Sequence, residues 1–150
     1  MTSKMIGTRV LRVEDPALLK GRSTFVANLD LPGALVAHYV TSIEAHALIT
    51  GIDTDEARTM PGVVDVVTAA DLDFGPIPGT PPDFPDGVAR GTLATDRVRF
   101  VGEPIVAIVA ETIEQAADAA ETVVIDYESL PVVVDLATAA DNETLLFPSA

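Results

Sequence analysis

The sequence contains no cysteine. That excludes disulfides, thiolate zinc sites, cysteine-ligated iron–sulfur clusters and a cysteine nucleophile within this chain. Basic residues are scarce: Lys plus Arg number 9 against 23 Asp plus Glu, a net charge of −14. Phosphate backbones and anionic membranes repel such a surface, so neither nucleic acid nor membrane is expected as a partner. No apolar run approaches the roughly 18 residues that suggest a membrane span. The opening Met1-Thr2-Ser3-Lys4-Met5 has one lysine and no apolar stretch behind it, so a cytoplasmic location is expected. Phosphate cradles are missing too. There is no Gly-x-Gly-x-x-Gly, and Lys20-Gly21-Arg22-Ser23 has the wrong order for a P-loop. No repeat of solenoid length occurs.

What is present suits one globular domain. The chain has 150 residues, 48 % of them hydrophobic, enough to bury a core without a staple. Leu31-Pro32-Gly33 signals a turn, and Glu14-Asp15-Pro16 a turn or a short helix start. Residues 34–41 and 47–52 read as strands, with a loop from Ser42 to His46. Thr54 or Asp53 caps a short helix that Pro61-Gly62 ends. Residues 63–68 read as a buried strand because both faces are apolar, Asp65 excepted. Thr68 then caps a single turn. Residues 74–95 hold five of the eleven prolines and four of the ten glycines, which predicts one long loop.

The second half is clearer. Residues 97–101 alternate, placing Val98 and Phe100 on one face and Arg97 and Arg99 on the other. Gly102-Glu103-Pro104 breaks that strand, and residues 105–110 form a continuously apolar, buried one. Thr112 and Gln115 make a capping box, and Ile113, Ala116, Ala117 and Ala120 give the following helix an apolar face. Residues 122–127 return to strand. The strand–helix–strand order predicts a crossover, with residues 105–110 and 122–127 parallel or separated by one strand. Pro131 ends the strand, and residues 135–140 suggest a last helical turn. The expected class is α+β: a mixed β-sheet, short helices and one long Pro/Gly-rich loop.

The residues alone do not give a function. Two histidines, His38 and His46, without a fixed acidic spacing do not make a metal site, and His46 reads as a loop histidine bonded to backbone. Ser42 lies near His46, but no Gly-x-Ser-x-Gly elbow surrounds it. Glu103, on a Gly-Pro break at the mouth of a buried strand, could face a partner site; on composition it reads as a solvated carboxylate.

Five segments taken together say more. They are Arg12-Val13-Glu14-Asp15 with Leu19-Lys20-Gly21-Arg22-Ser23-Thr24-Phe25 and Leu31-Pro32-Gly33-Ala34-Leu35; Ser42-Ile43-Glu44-Ala45-His46-Ala47 with Ile52-Asp53; Met60-Pro61-Gly62-Val63 through Thr68-Ala69-Ala70-Asp71-Leu72; Val98-Arg99-Phe100-Val101-Gly102-Glu103-Pro104-Ile105-Val106-Ala107; and Asp126-Tyr127-Glu128-Ser129-Leu130-Pro131-Val132-Val133. In order and spacing this run resembles the start of the large subunit of the xanthine dehydrogenase, aldehyde oxidase and aerobic carbon monoxide dehydrogenase family, over nearly the whole chain. That region is the family's α/β-hammerhead domain, and the carbon monoxide branch is the closer likeness.

The resemblance implies an N-terminal part or split subunit of a molybdopterin-dependent oxidoreductase, inactive alone, whose relatives hydroxylate an aldehyde or an N-heterocycle or oxidise carbon monoxide. It implies that this chain binds no cofactor alone, because the molybdopterin-binding domains lie beyond it. The molybdenum–molybdopterin cytosine dinucleotide is expected on a partner chain carrying those domains, with iron–sulfur and flavin subunits completing the complex. The hammerhead would lend a wall of the substrate channel. It makes Glu103 the catalytic candidate, facing molybdenum in the complex, and Gly102 the cofactor-binding candidate. Carbon monoxide dehydrogenases carry glutamine or a similar polar residue at the Glu103 position, which argues against carbon monoxide as substrate here. Ile43 replaces a family proline, and Ala27-Asn28 stand where an acidic pair is usual. The other reading is a binding or assembly module of the same fold. Apolar runs with few helices to cover them predict an exposed apolar patch beside Glu103 and residues 74–95.

Overall fold

The computed structural model describes residues 7, 9–26, 29, 31–75, 88–141 and 144–147. The chain divides into two compact units, Met1–Gly33 and Ala34–Ala150. In the first, helix α1 (Asp15–Leu19) starts with proline in its first turn, where the missing N–H costs nothing. Gly21, at φ +64°, turns the chain out, and the Arg22 N–H closes on the Ala17 carbonyl at 2.9 Å.

The second unit runs β1 (Val36–Thr41), β2 (Ala47–Asp53), α2 (Asp55–Thr59), β3 (Val63–Thr68), a 3-10 turn (Ala69–Asp71), β4 (Arg97–Val98), β5 (Pro104–Ala110), α3 (Ile113–Ala120), β6 (Val124–Ser129) and α4 (Leu136–Ala139). The strands form two three-stranded sheets, ordered β1-β5-β3 and β4-β2-β6. Each of the four strand pairs is antiparallel. The α+β class with short helices is as expected.

The crossover is not. The strand after α3 leaves the first sheet and pairs antiparallel with β2. The reason is that β5 already has β1 on one edge and β3 on the other, which leaves β6 no place beside it. That same central position makes β5 the most buried strand, as its unbroken apolar sequence predicts: Ile105, Val106, Ile108 and Ala110 are fully enclosed. Residues 63–68 were expected to be buried as well. They form an edge strand in which Val66 is enclosed while Val64 is 56 % exposed.

Two further expectations change in detail. The alternating stretch 97–101 gives a ladder only at Arg97–Val98, because a tight turn begins at Phe100. On α3 the buried stripe is Ala116 and Ala119, three apart, whereas Ile113 is 46 % exposed. The capping box is present as expected, with the Thr112 hydroxyl accepting from the Gln115 N–H and the Gln115 side chain accepting from the Thr112 N–H. Helix α3 packs on β1, β5 and β3 and against α2. Of the loop expected at 74–95, residues 76–87 lie outside the described residues. Its described flanks hold no strand or α-helix beyond a one-residue bridge at Arg90. Residues 27–28 and 148–150 also lie outside the described residues.

One cluster of enclosed side chains joins the two sheets. It includes Ala47 and Val98 from the second sheet, Val66, Ile105, Val106, Ile108 and Ala110 from the first, and Ala57, Ala116 and Ala119 from the helices. Burying each of the isoleucines stabilises by about 1.5–3 kcal/mol.

Candidate functional site

The strand break before β5 is a type II turn. Phe100 opens it, Gly102 occupies its third position at φ +91°, and the Glu103 N–H closes on the Phe100 carbonyl at 3.2 Å. That position requires a positive φ, hence glycine. The turn is tied to the end of β1: the Gly102 N–H donates to the Ser42 carbonyl at 2.8 Å, and the Ser42 N–H donates to the Glu103 carbonyl at 2.9 Å. The side chain of Glu103 folds back over its own turn, where Oε2 accepts the Arg99 N–H at 2.5 Å.

Glu103 is therefore not the solvated carboxylate that composition suggests. It is 5 % exposed, and a charged acceptor for a backbone N–H offsets part of the cost of enclosing it. It contributes to the wall of a cleft of about 350 Å³ together with Leu72, Phe74, Arg90, Leu93 and Arg99. Around the same turn Phe74 is 57 % exposed, Phe100 40 % and Val101 63 %. The described surface beside Glu103 is thus apolar in part. Arg90 lies over the Phe100 ring at 5.2 Å, a cation–π contact that keeps a positive charge at the cleft mouth.

Arg99 connects this cleft to a second one. Its guanidinium reaches Asp96 at 3.8 Å, its Nε donates to the Leu146 carbonyl at 3.2 Å, and its charge sits 4.8 Å from the centre of the Phe147 ring. Asp96 also pairs with Arg97 at 3.2 Å. Partial burial works to raise the Asp96 pKa, but the hydrogen bonds from Arg97, its own backbone and Thr95 outweigh it and hold the carboxyl below its ordinary value.

The second cleft, of about 420 Å³, is lined by His46, Arg99 and Thr144 among apolar residues that include Phe100, Val101, Val132–Val134 and Leu146. His46 is bonded to backbone, as its residue type and position suggest: Nδ1 meets the Pro131 carbonyl at 2.8 Å. Its own carbonyl accepts the Leu130 N–H at 2.9 Å. The ring is 4 % exposed, and Nε2 has no hydrogen-bond partner among the described residues. Ser42 takes no part with it; its hydroxyl donates to the Glu44 carbonyl at 2.8 Å and accepts the Glu44 N–H at 3.0 Å. His38 sits on β1 and belongs to no cluster of metal-ligating groups among the described residues.

Among the described residues no three His, Asp or Glu side chains come together as a metal site. They do not by themselves fit a metal centre. The strand break at Gly102-Glu103-Pro104 was legible in the sequence, but the turn from Phe100 to Glu103 was not. The bridging role of Arg99 and the unpartnered His46 nitrogen had no signal, since both depend on residues 146 and 131 folding back.

This geometry sits within a stretch that matches a known family. Residues 20–131 match the model of the aldehyde oxidase and xanthine dehydrogenase a/b hammerhead domain. The chain belongs to this family. The hammerhead is 41 % identical, over 95 % of its length, to subunit gamma of the 6-hydroxypseudooxynicotine dehydrogenase complex of Paenarthrobacter nicotinovorans, of which it spans 19 %. It is 42 % identical, over 90 % of its length, to the nicotine 6-hydroxylase large subunit of the same organism, spanning 17 % of it. Its backbone superposes on the crystal structure of the aldehyde oxidoreductase from Desulfovibrio desulfuricans with a TM-score of 0.84 at 27 % identity, covering 97 % of this chain and 17 % of that one. The chain thus matches part of molybdenum hydroxylase large subunits and spans less than a fifth of the relatives named here. The resemblance carried by the five sequence segments holds. No helix among the described residues is long and apolar enough to cross a membrane.

Proposed function

We propose that residues 1–150 act as one α/β-hammerhead domain, an N-terminal part or split subunit of a cytoplasmic molybdopterin-dependent oxidoreductase. The assembled enzyme hydroxylates an N-heterocycle or an aldehyde. The observation that carries this reading is the match over 20–131, which crosses the boundary between the two compact units. Relatives named for nicotine and for 6-hydroxypseudooxynicotine favour an N-heterocycle. In the complex the partner is a chain carrying the molybdopterin-binding domains, with iron–sulfur and flavin subunits beyond it. The molybdenum–molybdopterin cytosine dinucleotide belongs to that partner and supplies the oxidising centre, while this chain contributes a packing surface and one wall of the substrate channel.

Within this reading the Glu103 cleft is the channel wall. Glu103 is the residue that faces the reacting centre, carried on a turn fixed at both ends. Gly102 presents its bare Cα to the partner: a Cβ added there would meet no atom within 4 Å, so another backbone or a cofactor can approach closely.

Purification of the native chain from its source, with molybdenum assayed in whatever accompanies it, tests the proposal. Co-elution with a larger chain and molybdenum is the expected result. In that complex Glu103→Gln, which keeps an acceptor for the Arg99 N–H, lowers kcat at unchanged thermal stability. A chain that elutes alone and metal-free from native extract overturns the enzymatic reading in favour of a binding or assembly module.

A further inference from the structure

We propose that the cleft beside His46 is a socket for a segment of the cofactor-carrying partner chain, and that this segment ends in an N–H or O–H donor that hydrogen-bonds His46 Nε2. The proposal rests on the functional reading above.

The tautomer follows from the geometry. The Pro131 carbonyl can only accept, so Nδ1 at 2.8 Å carries the hydrogen. In the neutral ring Nε2 is then a bare lone pair. It is enclosed, in a side chain 96 % buried, without a partner among the described residues. Enclosed acceptors are nearly always satisfied, and one left bare is costly. The ring cannot rotate to relieve it without losing the Pro131 bond. A donor from outside the chain satisfies it at no such cost.

The walls say what kind of group brings that donor. Apart from His46, Arg99 and the Thr144 hydroxyl, the described lining residues are apolar, and Val101 and Val134 stand 63 % and 93 % exposed. Among the described lining residues the one cation, Arg99, is already engaged by Asp96, the Leu146 carbonyl and the Phe147 ring. A charged ligand finds no free counter-charge among the described lining residues. An apolar or aromatic side chain carrying a single donor, or an apolar stretch with one free backbone N–H, matches both the walls and the nitrogen.

A segment of the partner chain is the occupant favoured by size and position. The relatives are more than five times as long as this chain, which covers 19 % and 17 % of them. Half of the cleft wall, from Val132 to Leu146, follows the end of the family match at residue 131. It lies where the relatives' chains run on from the hammerhead.

Two substitutions separate the nitrogens. His46→Asn places an amide N–H where Nδ1 meets Pro131 and removes the Nε2 acceptor; His46→Gln restores an acceptor near the Nε2 position. Binding of the purified molybdenum-carrying chain is measured by titration calorimetry, thermal unfolding of each variant confirms folding, and nitrogen-15 NMR follows the His46 ring. The expected result is about tenfold weaker binding for His46→Asn, partial recovery in His46→Gln, and an upfield shift of the Nε2 resonance on complex formation. Equal affinity of folded His46→Asn with an unmoved Nε2 resonance overturns the socket and leaves the functional reading intact. Failure of the unaltered chain to bind the molybdenum-carrying chain overturns both.

Discussion

Two glycines at positive φ serve different ends. Gly62 occupies the third position of a type II turn from Met60 to Val63, at φ +80°, with the Val63 N–H closing on the Met60 carbonyl at 3.2 Å. A Cβ there would collide with the side chain of Gln115, the residue that completes the capping box of α3. Gly102 has nearly the same φ and open space around it. Gly102→Ala therefore costs backbone strain alone, about 1–2 kcal/mol. Gly62→Ala carries the same strain and displaces Gln115 as well, so urea unfolding places it below Gly102→Ala in stability; equal losses would mean that Gln115 swings aside freely. Asp71 makes a second residue-scale case. Its carboxylate accepts from the Thr68 N–H at 2.7 Å and the Thr68 hydroxyl at 2.8 Å, which, with Arg58 nearby, holds its pKa below 3.8. A carboxyl with a lowered folded-state pKa contributes stability above its unfolded value and loses it as pH falls through the folded one. Asp71→Asn is expected to be less stable than the native chain at neutral pH. The difference should shrink below about pH 4, read as converging thermal midpoints.

At the scale of elements, position within the sheet decides what an apolar residue contributes. β3 and β5 have similar composition, yet β5 lies between two neighbours and β3 has one. Ile108→Ala opens a cavity in the central strand and is expected to cost about 2–5 kcal/mol. Val64→Ala, on the exposed face of the edge, is expected to stay within about 0.5 kcal/mol; a comparable loss at both would refute the assignment of centre and edge. This difference was not legible in the sequence. Periodicity reports how many faces of a strand are apolar, and Val63-Val64-Asp65-Val66-Val67 looks enclosed by that measure. Which strands flank it depends on pairings between residues far apart in the chain. The capping box of α3 was legible because its parts lie three residues apart. The crossover failed for the same reason that β3 did: the free edge accepting β6 belonged to β2, more than seventy residues earlier than β6.

At the scale of the molecule, the site divides along the same line. Glu103 and Gly102 could be placed at a strand break from three consecutive residues, Gly102-Glu103-Pro104. The enclosure of Glu103, the link through Arg99 and the bare nitrogen of His46 come from contacts between distant segments, and a resemblance supplied what periodicity could not. The two sheets of the second unit share no strand, which raises the question of whether they unfold separately. Their common core argues against it. Ala47 and Val98 of one sheet belong to the same enclosed cluster as Val66, Ile105 and Ile108 of the other, with Ala116 and Ala119 of α3 beside them. Opening either sheet exposes the inner face of the other to water, so neither keeps its apolar burial alone. Residues 34–150 are therefore expected to unfold in a single transition. Circular dichroism and hydrogen exchange at Val106 and Ile125 should give coincident midpoints in urea. Earlier exchange at Ile125 would mean that the β4-β2-β6 sheet opens on its own, and the wall that carries His46 would then be a mobile surface, ordered by what docks on it.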